Sequence, residues 1–285
     1  MSTLWLVATP IGNLGDLAPR AIEVLSTAEL VCCEDTRRTG KLLQHAGIRA
    51  KRLAVCNEHT EFDLVAQVLD TLGSGGDVAV VSDAGSPGIS DPGELLVAAA
   101  VTAGHDVSAV PGPTAATMAV TISGLPSGRH VYEGFLPRKG RERSERIDAI
   151  ATEHRTVVLY EAPHRVQRTL AELTAACGAD RPVSISRELT KLHEETIRGT
   201  LGTVDLGEPR GEYVIVVGGA ATAVVDASDD HVRRELRNAL AGGASTRDAV
   251  AKITAATGRR KREVYQLALE QETNVSPAVD TTDSE

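Results

Sequence analysis

Aromatic residues are scarce in this sequence of 285 residues: they make up 2% of it, as one tryptophan, four tyrosines and two phenylalanines. A row of rings on which successive bases stack is therefore not expected, which argues against a platform for single-stranded nucleic acid. Alanine, valine, leucine and isoleucine must fill the core, and a hydrophobic fraction of 42% is sufficient to build one. The length allows two domains of roughly 100 to 200 residues each.

The sequence also lacks the spacings that are typical of metal sites. Its four cysteines form no CxxC pair, and its eight histidines form no HExxH motif. We therefore expect no bound metal. Cys32 and Cys33 follow Leu30 and Val31 in an apolar run, where buried and unreactive thiols are expected.

Long apolar runs and an excess of basic residues are absent as well. No run approaches the roughly 18 residues of a membrane span, and Leu4–Val7 lacks the basic flank of a signal peptide. These absences favour a cytoplasmic protein. A formal net charge of −9 argues against a uniformly basic surface for nucleic acid, although it allows a local basic patch.

A loop rich in glycine and proline is the most distinctive segment that is present. The run Val78–Val81 predicts a buried strand, and the segment Asp83–Gly93 after it exceeds the roughly two to six residues of an ordinary strand-to-helix turn. Its glycines allow a ligand to approach the main chain, and its prolines fix the shape of the loop. We therefore predict a ligand-binding loop, followed by a helix over 95–103 with Asp91 as its N-cap.

Two further predicted strands end in similar loops of small residues. Leu4–Ala8 leads into Thr9–Asp16, and Asp106–Val110 leads into Pro111–Ala116. Neither loop contains GxGxxG or GxxxxGK[ST], so the sequence does not indicate a phosphate cradle. Strands that alternate with helices predict an α/β fold with a parallel sheet. Ligands of such sheets bind at the carboxyl ends of the strands.

Charged residues follow several other strands. Glu34–Arg38 follows Leu30–Cys33, and there Asp35 can either cap the next helix or contact a ligand. Glu161–Arg165 and Arg187–Lys191 follow two strands of the second half, and their side chains can converge on a cleft. A basic stretch over 138–146 is typical of a solvated helix face and is compatible with phosphate contact.

Three short helical patterns after a small-residue linker indicate a helix-turn-helix module at the end of the chain. Its last helix opens on Arg259, Arg260, Lys261 and Arg262. Four positive charges are unfavourable at the positive end of a helix unless an anion binds there, and nucleic-acid phosphate is such an anion. A helical bundle with a solvated basic edge is the alternative interpretation.

These changes of pattern divide the chain into four parts. We predict an N-terminal α/β domain over 1–122, a second α/β domain over 123–222, a helix-turn-helix-like module over 229–272 and a disordered tail over 273–285. Short connections between the last strands of the second domain favour antiparallel pairing there.

Six segments together resemble a known family. They are 6–16, 34–37, 82–93, 110–115, 161–165 and 187–191. In number and order they are similar to the tetrapyrrole methylase superfamily, and within it to the ribosomal RNA small subunit methyltransferase I family. The resemblance covers nearly the whole chain, and the helix-turn-helix segment of that family matches residues 232–270.

The resemblance implies a fold and an activity. The fold is a pair of α/β domains with a cleft between them and a small C-terminal helix-turn-helix module. The activity is transfer of a methyl group from S-adenosylmethionine to the ribose 2′-oxygen of a cytidine in the decoding centre of 16S ribosomal RNA. The implied partner is 16S ribosomal RNA in the small ribosomal subunit, and we expect a homodimer.

The resemblance also implies which residues contact the cofactor. They are Pro10, Ala84, Gly85, Ser86, Ile89, Thr114, Ala115, Glu161 and Leu189. Porphyrin-type members of the superfamily carry GxGxG in the first loop and GGDP in the central one, whereas this sequence has Thr9–Gly12 and Ala84–Pro87. These departures argue against a tetrapyrrole substrate.

Catalysis of this reaction needs little covalent participation by the protein. Methyl transfer from a sulfonium is an in-line displacement, so alignment of the reacting atoms supplies much of the rate. A ribose hydroxyl is a weak nucleophile, and a nearby base or cation would activate it. Glu188 and Lys191 are the candidate catalytic residues, followed by Asp35.

Two alternative functions stay open on the sequence. One is a methyltransferase of the same fold that acts on a small molecule such as a tetrapyrrole, which leaves the basic C-terminal module unexplained. The other is a non-enzymatic, nucleic-acid-binding sensor of a nucleotide-like ligand. Methyl transfer by the purified protein distinguishes the second alternative from an enzyme.

Overall fold

Five parallel strands form the first sheet, and helices connect them. The computed structural model describes residues 2–57, 59–221 and 228–273. The strands are β1 (Thr3–Val7), β2 (Leu30–Cys33), β3 (Leu53–Val55), β4 (Val78–Val81) and β5 (Asp106–Val110), in the spatial order β3-β2-β4-β1-β5. The helices are α1 (Pro19–Thr27), α2 (Thr36–His45), α3 (Glu61–Gly73), α4 (Glu94–Thr102) and α5 (Ala115–Ile122). The predicted α/β fold with a parallel sheet is confirmed.

The central strands bury side chains on both faces of this sheet. In β4, Val78 and Val80 pack into the core on one face, whereas Ala79 and Val81 pack into the core on the other. Burial on both faces explains why the strand is a continuous apolar run. Cys32 of β2 is buried too, and burial raises the pKa of its thiol to about 12. The prediction of a buried, unreactive thiol is confirmed for this residue.

The loops that follow β1, β4 and β5 meet at the carboxyl edge of the sheet. Thr9 and Gly85 exchange two backbone hydrogen bonds of 2.8 and 3.0 Å. Gly85 has a φ of 88°, which glycine adopts without strain. A β-carbon at position 112 would stand 2.8 Å from the β-carbon of Ala8, so the third loop also needs glycine. The three loops support one another, and this edge presents main chain instead of large side chains.

The second sheet is mixed. Its strands are β6 (His130–Phe135), β7 (Thr156–Glu161), β8 (Pro182–Arg187), β9 (Glu195–Thr200) and β10 (Tyr213–Val217), in the order β6-β7-β10-β8-β9. Its helices are α6 (Arg141–Thr152) and α7 (Pro163–Cys177). The β6–β7 pair is parallel, and the other pairs are antiparallel, as the short connections predict.

Helix α5 joins the two sheets. Its Ala119 and Val120 pack against Val158, Val214 and Val216 of the second sheet, while α6 and α7 cover the opposite face. The second sheet is therefore buried on both faces. Because α5 starts at the carboxyl edge of the first sheet, this packing brings that edge beside the second sheet.

The prediction that Asp91 caps the helix after β4 is wrong. Helix α4 has Gly93 as its N-cap, and no side chain of its own segment caps it. The cap comes from α3: the Glu61 carboxylate accepts from the N–H groups of Gly93 (2.9 Å), Leu95 (2.9 Å) and Leu96 (3.3 Å). A search for local caps cannot find such a partner, because it is brought in by the packing of α3 on α4.

The basic stretch over 138–146 contributes to the fold. Arg143 is only 3% exposed, and its guanidinium donates to Glu172, Thr169 and the Pro137 carbonyl at 2.8 to 2.9 Å. Arg146 pairs with Glu133. For Arg143, the interpretations of a solvated face and of a phosphate contact are both wrong, since its charge is neutralised inside the protein.

The C-terminal helices form a separate compact unit. They are α8 (Asp229–Ala241), α9 (Thr246–Thr257) and α10 (Lys261–Thr273). Val232, Leu236, Val250 and Val264 are fully buried in their common core. Thr273, placed in the predicted tail, ends α10; residues 274–285 of that tail, and 222–227 of the linker, lie outside the described residues. Among the described helices, none combines the length and the apolar composition that crossing a bilayer requires.

Candidate active site

A cavity of about 320 Å³ lies at the carboxyl edge of the first sheet, against the second sheet. The loops after β1, β4 and β5 form one wall, and the ends of β7 and β8 with the start of β10 form the other. This is the edge at which ligands of parallel sheets bind. The packing of α5 on the second sheet brings the two walls together.

Most of the residues predicted to contact the cofactor line this cavity. They are Ala84, Gly85, Ser86, Ile89, Thr114, Ala115 and Leu189. Pro10 lines a smaller neighbouring cavity of about 250 Å³, which shares Arg38 and Asp83 with the larger one. The structure thus brings these positions to one place, and their contact with a cofactor stays a prediction.

Glu161 is also predicted to contact the cofactor, and the structure places it elsewhere. Its side chain is fully buried at 0% exposure and does not line the cavity. Its carboxylate accepts from the Ala162 N–H at 2.9 Å and from the Thr169 hydroxyl at 2.6 Å, and it pairs with Arg165 at 3.0 Å. These bonds hold the start of α7, so the charge at the end of β7 stabilises the fold.

Glu188 and Lys191 lie together at the cavity, in the turn after β8. The Lys191 ammonium donates to Glu188 Oε1 at 2.9 Å, and both side chains are partly exposed. The loop after β1 packs closely on this turn at Gly12. A β-carbon there would collide with the side chains of Lys191 and Thr190. A carboxylate and a cation therefore stand side by side at the cavity wall.

Asp35, the third candidate catalytic residue, lies outside the cavity. It is the N-cap of α2, accepting from the Arg37 N–H at 2.8 Å and pairing with the Arg37 guanidinium at 3.1 Å. Hydrogen bonds from Arg37 lower the pKa of Asp35 to about 2, which makes its carboxylate a weak base. The capping interpretation is confirmed, and its neighbours Glu34 and Arg38 line the cavity instead.

Four carboxyl groups that were not among the candidate site residues line the cavity: Glu34, Asp83, Asp91 and Glu212. Glu34 and Asp91 interact with one another. Burial, and then the charge of Glu34, raise the pKa of Asp91 to about 7. Burial, and then the charge of Asp83, raise the pKa of Glu34. The pair therefore holds a proton near neutral pH.

We call Glu34, Asp83 and Asp91 the carboxylate wall of the cavity. Two of its oxygen atoms have no hydrogen-bond partner among the residues that the structure describes. Asp83 pairs with Arg38 at 3.2 Å, but buried Asp83 Oδ1 and Glu34 Oε1 have no hydrogen-bond partner within the described part of the chain. Buried carboxylate oxygens are costly without a donor or a positive charge. A ligand that carries positive charge would supply one.

Several cavity residues are not indicated by local sequence pattern. Glu212 and Tyr213 line the cavity at the start of β10. Since β10 runs antiparallel to β7 and β8, its first residues lie at the edge where those strands end. Phe135 and Tyr160 also line it, near the ends of β6 and β7.

The four consecutive basic residues of the C-terminal unit, 259–262, differ in their surroundings. Arg259 pairs with Asp229 and, at 3.5 Å, with Glu263, so its charge is used within the unit. Arg260 precedes α10, and Lys261 and Arg262 form its first turn; all three are exposed. The helix therefore opens on two basic residues and not on the predicted four.

Comparison with known proteins gives matches along almost the whole chain. The sequence model of the tetrapyrrole (corrin/porphyrin) methylases matches residues 3–205, and that of the RsmI C-terminal HTH domain matches residues 226–272. A protein of Synechocystis sp. named ribosomal RNA small subunit methyltransferase I is 44% identical over 95% of this chain and 99% of its own. The protein of the same name from Mycobacterium tuberculosis is 41% identical over 94% of both chains.

Solved structures show the same fold. The methyltransferase CobJ superposes with a TM-score of 0.60 at 20% identity, covering 78% of this chain and 95% of that one. Uroporphyrin-III-C-methyltransferase from Thermus thermophilus gives a TM-score of 0.54 at 20% identity, covering 76% of this chain and 94% of that one. These structures leave about a quarter of the chain unmatched.

Proposed function

The chain belongs to the tetrapyrrole methylase family, in its ribosomal RNA small subunit methyltransferase I branch, and we propose that it methylates 16S ribosomal RNA. The methyl group comes from S-adenosylmethionine, and the acceptor is the ribose 2′-oxygen of a cytidine in the decoding centre. The substrate is the small ribosomal subunit, and the enzyme acts as a homodimer.

The carboxylate wall of the cavity is the observation that supports the cofactor assignment. S-adenosylmethionine carries two positive groups, a sulfonium and an ammonium. Glu34 and Asp83 each have a buried carboxylate oxygen that has no hydrogen-bond partner among the described residues. The loop with Gly85, which lines the cavity, lets a ligand lie against the main chain. The residues present therefore fit this cofactor, with Ala84, Ser86, Thr114 and Leu189 as further contacts.

The extent of the matches favours RNA over a tetrapyrrole as the substrate. Uroporphyrin-III-C-methyltransferase covers 76% of this chain with 94% of its own, whereas the Synechocystis protein covers 95% with 99% of its own. The model of the RsmI C-terminal HTH domain matches residues 226–272. Exposed Arg260, Lys261 and Arg262 give that unit a surface for RNA phosphate.

The Glu188–Lys191 pair is proposed to activate the acceptor. When bound, S-adenosylmethionine supplies an electrophilic methyl group on sulfur. Transfer of that group to the ribose oxygen would form a carbon–oxygen bond, break the carbon–sulfur bond and release the hydroxyl proton. Glu188 accepts that proton, and Lys191, 2.9 Å from it, lowers the pKa of the hydroxyl by its positive charge. The remaining rate comes from holding the three reacting atoms in line.

The experiment is methyl transfer by the purified full-length protein from methyl-labelled S-adenosylmethionine to small ribosomal subunits that lack the modification. We expect label in 16S ribosomal RNA, mapped to a single cytidine as a 2′-O-methyl group. Tetrapyrroles offered in parallel should stay unlabelled. Label in a tetrapyrrole and none in RNA would contradict the proposed RNA substrate. Cofactor binding without any methyl transfer would favour the non-enzymatic, nucleic-acid-binding sensor.

A further inference from the structure

Three of the few aromatic residues of this chain lie in contact at the cavity. In a sequence with one tryptophan, four tyrosines and two phenylalanines, the ring of Tyr160 lies 5.4 Å from that of Tyr132 and 5.4 Å from that of Phe135, between ring centroids. Tyr160 and Phe135 line the cavity. We call these three residues the aromatic wall.

A bulge in β6 produces this arrangement. Tyr132 pairs with Val158, but the register shifts at the next step, so that Gly134 pairs with Leu159 and Phe135 with Tyr160. In a regular strand, residues 132 and 135 would point to opposite faces. The extra residue in β6 puts both rings on the face of Tyr160, and such bulges are a common way of redirecting a side chain near a site.

The two tyrosines are fixed by their hydroxyl groups, whereas Phe135 is not. The Tyr160 hydroxyl accepts from the Ala116 N–H at 3.1 Å, and the Tyr132 hydroxyl is hydrogen-bonded to Ser90 Oγ at 2.7 Å. Both bonds reach from the second sheet to elements of the first. Phe135 contacts the ring of Tyr160, has 44% of its surface exposed and lines the cavity.

We propose that Phe135 is the stacking platform for the nucleobase of the acceptor nucleotide. The inference rests on the proposed function, in which a ribose must enter the cavity. An enzyme that acts on a nucleotide inside a folded RNA extrudes it and holds its base between aromatic and apolar side chains.

The position of Phe135 distinguishes it from the proposed cofactor contacts. Those positions lie on the loops of the first sheet and at Leu189 after β8, whereas Phe135 ends β6. A β-carbon on its neighbour Gly134 would stand 2.9 Å from Ser90 Oγ, so Phe135 lies close to the loop that carries Ile89 and Asp91. The base is therefore held beside the carboxylate wall.

The chain contains a matched control for this proposal, since its other phenylalanine, Phe62, is 77% exposed and lies at the start of α3, outside the cavity lining. We would compare Phe135→Leu, Phe135→Tyr and Phe62→Leu with the parent protein. The assays are methyl transfer to small ribosomal subunits, S-adenosylmethionine binding by calorimetry, and thermal unfolding.

Phe135→Leu should raise KM for the RNA substrate about tenfold, because stacking on an aromatic ring is lost. Phe135→Tyr should stay within about twofold of the parent, as should Phe62→Leu. Affinity for S-adenosylmethionine should be unchanged in all three. Phe135→Tyr keeps the ring, so it also shows whether the site tolerates substitution without unfolding.

An unchanged KM in folded Phe135→Leu overturns the proposal. So does a loss of S-adenosylmethionine affinity equal to the rise in KM, since the ring would then hold the cofactor's adenine. If the parent protein labels no RNA at all, the proposed function fails, and this inference fails with it. The variant and parent assays thus separate the two failures.

Discussion

Backbone strain at single residues is concentrated at the cavity. Among the described residues, the non-glycine residues with positive φ are Ser90 (63°), Glu188 (51°) and Thr190 (67°). Such a conformation costs about 1 to 3 kcal/mol for each residue. Ser90 and Glu188 line the cavity, and Thr190 lies in the same turn as Glu188. Packing of the loop after β1 on this turn maintains the strained conformation.

The first prediction at the residue scale concerns the Glu188–Lys191 pair. Glu188→Gln and Lys191→Met should each lower the single-turnover rate of methyl transfer by about 100-fold or more, because proton removal is impaired. S-adenosylmethionine affinity should change by less than about threefold. Glu195→Gln is the control, since Glu195 pairs with Arg187 outside the cavity lining. Parent-like rates in both variants would move the search for the base to Asp91.

The pH dependence of stability follows from Asp91. Its pKa in the folded protein is raised to about 7, so between about pH 4 and pH 7 the folded state binds more protons than the unfolded state. The stability that this contributes is present below about pH 4 and is lost as the pH rises through 7. The unliganded protein should therefore lose stability over that range.

Asp91→Asn should remove much of this loss. We expect the variant to melt about 1 °C above the parent at pH 5 and about 2 to 4 °C above it at pH 8. Thermal unfolding of the unliganded protein at both pH values measures the difference. A difference that is the same at pH 5 and pH 8 would show that Asp91 does not titrate in this window.

At the scale of elements, α4 depends on a cap supplied by another helix. Glu61, 6% exposed, accepts hydrogen bonds from three N–H groups at the start of α4. A carboxylate at this position is also favoured by the positive end of the helix dipole. Because α4 follows the loop after β4, Glu61 fixes where that loop ends.

Glu61→Ala should destabilise the first sheet by about 2 to 3 kcal/mol, since buried N–H groups lose a charged acceptor. Asp63→Ala is the control: Asp63 is exposed in the same turn of α3, and its loss should cost less than about 1 kcal/mol. Urea unfolding followed through the single tryptophan, Trp5 of β1, reports on this sheet. Equal midpoints for the two variants would contradict the cap.

At the scale of the whole molecule, the C-terminal unit should act as a phosphate-binding module in a chain of net charge −9. Arg260, Lys261 and Arg262 are exposed, whereas Arg259 is paired with Asp229. RNA affinity should fall with salt in proportion to the number of phosphates that these residues contact. The unit thus supplies affinity, and the cavity selects the nucleotide.

Changing Arg260, Lys261 and Arg262 together to Gln should weaken RNA binding and flatten the slope of log affinity against log salt by about 2 units. S-adenosylmethionine binding should be unaffected. A matched variant removes three exposed positive charges from α8 and α9, at Arg237, Arg247 and Lys252. Equal losses in both variants would indicate a general charge effect, and no loss in either would favour a purely structural unit.

Much of the fold follows from local pattern. The runs Val78–Val81 and Asp106–Val110 predict their strands to the residue. Periodicity and short connections suffice there, because strand formation and burial depend on neighbouring residues. The interpretation of Asp35 as a cap is correct for the same reason, since its acceptor and donor are two residues apart.

The sequence by itself determined the order of strands and helices, the three small-residue loops and the family to which they belong. Only the tertiary structure decided which charges reach the cavity: Glu34 and Asp91 pair there, while Asp35, Glu161 and Arg143 bond elsewhere. It likewise built the aromatic wall from residues on β6 and β7. The reason is physical, because secondary structure depends on contacts a few residues apart, whereas the environment of a charge or a ring depends on packing between distant segments.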